Sequence, residues 1–205
     1  LKFQDIATNL IDIQLNNRLK GFNSLLVNKY FAKTENLDKA DLFAIASEIG
    51  MDTITEAIYI ISSDGIIINT TFRKDLGFNL YSLGDNMKKY LQNMQQSGEF
   101  FGERFAIEDA TKRPKKYTYQ ATRDKKYIIE LGAYSKQVDD IVQAIEVTKA
   151  ELKSETQGIV DVELFLLADY PFSMNKNAMK VENQDDVLLK VFQDKDTIEL
   201  MEHVG

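Results

Sequence analysis

The chain has 205 residues, room for one large domain or one and a half small ones, with 44% apolar and 28% charged residues, the balance of a globular protein rather than a disordered chain. A net charge of −7 argues against a sequence-independent nucleic-acid binder, which needs a clustered basic surface. One His and no Cys exclude thiol catalysis, disulfide stapling, zinc fingers and His-rich metal sites, so neither a cofactor nor a metal is expected. No apolar run approaches the roughly 20 residues of a membrane helix, and no signal peptide is visible. A chain that opens on Leu1 rather than Met is expected to be a piece of a longer one.

In chain order, residues 2–34 read as one long helix. Phe3, Ile6, Leu10 and Ile13 step by three and four, and Leu15, Leu19, Phe22, Leu26 and Tyr30 continue on a neighbouring stripe. At ~1.5 Å per residue it would outrun a small domain, so part of it is expected to pack on a second module or on a partner copy. A second helix is predicted over 37–48, with Asn36 as N-cap and Gly50 just past its end. Two β-rich runs, 57–62 and 66–72, flank Ser63-Asp64-Gly65, and an Asp-Gly step between such runs predicts a hairpin. A short helix follows near 86–96, closed by Gly98. Strands are predicted over 100–107, 115–122 and 126–134, a helix over 135–155, a strand over 160–167 and a short helix over 185–192.

Five antiparallel strands with a helix between the second and third give an α+β, PAS-like layout, whose sheet has one face open to a pocket roofed by the intervening loop and helix. The expected organisation is a long N-terminal helix over 1–36, a PAS-like module over 37–135, and a helix with a partial second α/β module over 136–205.

Three segments carry a family resemblance. Residues 57–77 run strand, Asp64-Gly65 turn, strand and Asp75-Leu76-Gly77; residues 98–104 and 116–132 supply the later strands. Together they resemble the Cache domains, extracytoplasmic sensors of prokaryotic transmembrane receptors. The resemblance covers roughly 1–135 and takes 136–205 as the start of a membrane-proximal module. It implies a small-molecule ligand, transmembrane helices on both sides of the chain, and a cytoplasmic output domain. A histidine kinase is the output favoured, with a diguanylate cyclase, a chemoreceptor or a serine phosphatase as alternatives.

Several residues admit two readings. The basic run Lys112-Arg113-Pro114-Lys115-Lys116 reads first as a solvated loop at a strand entry, and alternatively as an attractor of an anionic ligand or lipid head groups. Tyr117 and Tyr119 share one strand face and serve equally as core or as pocket wall. Arg104 reads first as a surface partner of Glu99 or Glu103, and alternatively as the fork for a ligand carboxylate. No phosphate loop, nucleophile elbow or metal cluster is present in the sequence. The ligand site is expected between the sheet and the cover at 73–97, from Thr71, Arg73, Tyr90, Phe101, Arg104, Tyr117, Tyr119 and Tyr134, with Arg73 or Arg104 meeting an anionic group. The rival readings are a ligand-free module that dimerises through the N-terminal helix, and an acidic hydrolase using two carboxylates.

Overall fold

The structure, a computed structural model, describes residues 2–103, 105–107, 113–156, 158, 165–167, 171–173 and 190. Its first element is helix α1, Lys2–Leu25, which runs on into a π-helical turn, Leu26–Tyr30. The Phe31 N–H donates to Leu26 O at 2.7 Å and closes that wider turn. The long helix therefore stops four residues before the expected end at 34. The physical reason is burial: the extra residue in the turn rotates Phe31 into the core beside Leu26 and Val27.

Helix α2 spans Leu42–Ile49 rather than starting at 37. Asn36 has a φ of 60°, a left-handed conformation unsuited to an N-cap, and a short 3-10 turn, Leu37–Lys39, follows it. Asp41 caps α2 instead, accepting a hydrogen bond from the Ala44 N–H at 3.1 Å. Gly50 ends the helix in the left-handed conformation, as its position predicts.

The expected hairpin consists of β1, Glu56–Ser62, and β2, Ile67–Thr70. Gly65 in its turn has a φ of 77°, and a Cβ there would lie 2.5 Å from the Tyr81 ring. The chain then passes through two 3-10 turns, Arg73–Asp75 and Leu80–Leu83, into α3, Asp85–Ser97. Next come β3, Phe100–Gly102, and β4, Ala106–Ile107, which pair with successive parts of β5, Pro114–Ala121. The single strand expected over 100–107 is thus two segments along one edge of β5. Strand β6, Tyr127–Tyr134, pairs with β5 on one side and β1 on the other. All pairings are antiparallel, and the sheet order is β2-β1-β6-β5-β3, with β4 also on β5. The chain is of the α+β class, an N-terminal helix followed by an antiparallel sheet of five strand positions, β3 and β4 sharing one edge, as its sequence predicts.

Helix α4, Lys136–Glu155, leaves the end of β6 under a Ser135 cap and touches α1. Beyond it β7, Phe165–Leu167, pairs with β8, Pro171–Ser173. The former is the last part of the strand expected over 160–167; the latter falls between that strand and the helix expected over 185–192. Of the helix expected over 185–192, only Lys190 is among the described residues, and it is helical. No helix among the described residues is long and apolar enough to cross a membrane.

Strand alternation divides the sheet into two faces. Ile58, Ile60, Ile129, Leu131 and Ala133 point to one, where Leu19, Leu26, Phe31, Leu42 and Ala46 complete an apolar core. Ala57, Tyr59, Ile61, Tyr119 and Ile128 point to the other, beneath Leu91 and Met94 of α3. These are called the helix face and the cover face below.

Candidate functional site

The pairing register gathers chemistry on the cover face. Residues paired across antiparallel strands share a face. Lys115 stands opposite Tyr134, Tyr117 opposite Gly132, and Tyr119 opposite Glu130; on the other side, Glu130 stands opposite Tyr59. The same alternation sends Lys116 and Thr118 to the helix face.

Lys115 is 1% exposed. Its side chain lies flat across the sheet because Gly132 leaves space: a Cβ on Gly132 would come within 2.6 Å of Lys115 Cε. The ammonium ends at the Tyr59 hydroxyl, to which it donates at 2.8 Å. It also lies 4.8 to 5.4 Å from the ring centroids of Phe72, Tyr134, Tyr59 and Tyr117. Four rings around one desolvated cation form an aromatic cage filled by the protein's own lysine. From Pro114 on, the basic run is therefore not a solvated loop: pairing starts there, and both lysines that follow are buried, while Lys112 lies outside the described residues. Arg113 remains exposed, over the Tyr134 ring and paired with Asp139.

Glu130 lies between Tyr59 and Tyr119 and is 5% exposed. Its Oε2 has no hydrogen-bond partner among the described residues. Burial pushes its carboxyl up to about 8; Lys115 pulls it down, while Glu103 and Asp75 push it further up. The Tyr119 phenol is raised well above its ordinary value by burial, then by the charges of Glu130 and Glu103. Tyr90 of α3 meets the Tyr119 ring edge-on, with centroids 6.1 Å apart.

A cavity of about 40 Å³ opens beside the cage, lined by residues 53–57, Thr71, Phe72, Lys115 and Tyr134. It could hold roughly two or three waters or a small polar group. Glu56 at its rim accepts hydrogen bonds from Asp52 N–H at 2.9 Å and from the Arg18 guanidinium of α1, whose Nε lies 2.9 Å from Oε1. This pair ties the rim to the long helix.

Six of the eight predicted site residues meet at this face. Thr71 and Tyr134 line the cavity; Tyr117 and Tyr119 both point into the cluster, as their spacing requires; Phe101 pairs beside Tyr119, and Tyr90 covers it. Arg73 does not join them. Its guanidinium lies 5.5 Å over the Phe43 ring of α2, because the 3-10 turn holding it faces that helix. Arg104 lies outside the described residues. The cation at the site is Lys115, which sequence reasoning missed along with Tyr59 and Glu130. The signals were present: Lys115 has the parity of Tyr117 and Tyr119, and Glu130 is a single acid inside an apolar strand.

No family model matches the chain, and no curated protein matches it. Among the described residues, no group of three or more His, Asp or Glu side chains could hold a metal ion.

Proposed function

We propose that the chain is a ligand-sensing domain that binds a small anion on the cover face of its sheet. The observation that carries this reading is the buried Lys115 ammonium beside the 40 Å³ cavity. A buried charge costs several kcal/mol unless its surroundings compensate it, and such groups concentrate at functional sites. An entering carboxylate would find the Lys115 ammonium and the Thr71 and Tyr134 hydroxyls, with aromatic rings as walls. The Glu56–Arg18 pair is the route by which a change at the rim reaches α1.

The resemblance to Cache domains supports the wider setting. In it the domain is the extracytoplasmic part of a membrane-anchored receptor, a second copy packs along the N-terminal helix, and the output is a cytoplasmic histidine kinase. Signalling requires the ligand to bind one arrangement of the helices more tightly than another. The chain itself is assigned no turnover.

Calorimetry and thermal unfolding with formate, acetate, propionate and amino acids test the reading. A ligand for the folded state raises the unfolding midpoint, and Lys115→Met should weaken it more than about tenfold. No midpoint shift with any small anion, or binding indifferent to Lys115→Met, overturns it. A second reading, a ligand-free dimerisation module, is favoured by how completely side chains fill the cover face; a flat titration would select it.

A further inference from the structure

The cover face contains one group that anion binding does not use. Glu130 is buried, and its Oε2 is unpartnered among the described residues. Native proteins leave few such atoms. Ionised, this carboxyl is a buried charge facing other acids; protonated, it is a neutral donor.

The titratable groups around it come from every element packed on this face. Tyr59 comes from β1, and Lys115, Tyr117 and Tyr119 from β5. Glu103 comes from the connection between β3 and β4, Asp75 from the turn before α3, Tyr90 from α3, and Tyr134 from β6 itself. Among the described residues it is Lys115 that favours the charged form, and its ammonium is engaged by the Tyr59 hydroxyl and the four rings. Leu91 and Met94 of α3 close the face against water.

We propose that the cover face is a proton sensor: Glu130 holds a proton while α3 is seated on the sheet, and losing that proton to solvent unseats α3. The device goes beyond ligand sensing and needs no ligand. Its direction follows from the environment. The seated state binds the proton more tightly than the open, hydrated state, so acid seats α3 and mild alkali releases it. Burial, aided by Glu103 and Asp75, moves the carboxyl to about 8, which sets the range.

Hydrogen exchange of the α3 amides in the full chain, from about pH 6 to about pH 9.5 and corrected for intrinsic rate, tests this. Protection of α3 should fall at least about tenfold through pH 8 while β1 and β6 hold theirs. Glu130→Gln, which mimics the protonated form, should abolish the fall. A flat wild-type profile, or an equal fall in Glu130→Gln, overturns the proposal. The carboxyl ¹³C shift of Glu130 in the wild type decides independently of the variant: a midpoint near the ordinary carboxylate value overturns it, and one near 8 supports it.

Discussion

Lys115 and Lys116 are consecutive, and each is 1% exposed, yet they sit in opposite chemistries. On the helix face, Lys116 donates to Asp12 of α1 at 3.0 Å and to the Glu103 carbonyl. That ammonium has a carboxylate and a carbonyl and lies between a helix and a sheet that share a large apolar core. On the cover face, Lys115 has a phenol and four rings, and the acid nearest the middle of the face keeps one oxygen unpartnered. The contrast separates structure from function. On the helix face the buried lysine joins α1 to the sheet inside the core that holds the fold; on the cover face the buried lysine lies among four rings, beside a cavity and an acid with an unsatisfied oxygen.

The largest test of this contrast removes apolar volume from each side. Ile60→Ala on the helix face should cost about 2–5 kcal/mol of global stability in a denaturant titration, because the core there cannot collapse around the gap. Leu91→Ala on the cover face should act mostly on α3, lowering its exchange protection ahead of global unfolding. Equal global losses from both would erase the distinction.

The pH dependence comes next. The Glu130 pKa is raised in the fold, so its contribution is fully present below the ordinary carboxylate pKa of 4.5 and is lost as pH rises through about 8. Wild-type stability should fall by a few kcal/mol over that window, and Glu130→Gln should remove that part of the slope.

The two lysines should also part company. Lys116→Met leaves Asp12 without its ammonium and should cost about 1–3 kcal/mol. Lys115→Met puts a thioether among four rings, a favourable contact, and should cost less than about 1 kcal/mol. It should, however, raise the Glu130 pKa further by removing the cation that lowers it.

The smallest effect belongs to Asp124 in the turn between β5 and β6. Burial pushes its carboxyl up, but hydrogen bonds from Thr34, Thr122 and the Lys126 N–H outweigh that and bring it to about 2. Its stabilisation is present above the ordinary pKa of 3.8 and is lost as pH falls through about 2. Partial exposure screens it, so Asp124→Asn should cost under about 1 kcal/mol at neutral pH.

Local chemistry was the legible part of the fold. Asp64-Gly65 marked the hairpin, Gly50 and Gly98 marked helix ends, and the spacing of Tyr117 and Tyr119 placed both on one face. Choices between equivalent signals were not legible. Asn36 and Asp41 are both capping types, and backbone conformation decided for Asp41. Arg73 and Lys115 are both cations near the predicted pocket, and the turn at 73–75 gave Arg73 to Phe43. The route of Lys115 depends on Gly132 in another strand, a pairing that composition and periodicity do not encode. For the same reason a buried lysine doublet reads, in sequence, as solvent-facing.

That doublet also has a meaning for strand alignment. A slip of β5 by one residue exchanges its faces and would put one lysine in the other's place, with Tyr117 or Pro114 in the place left open. The doublet therefore marks the alignment less sharply than two unlike residues would, since one of the two places is filled by a lysine either way. The task falls to Tyr117 and Tyr119 against Thr118: a slip would drive two tyrosines into the space between α1 and the sheet, where Thr118 accepts from Asn23 at 2.9 Å. Misalignment is thus opposed most strongly by the middle of the strand.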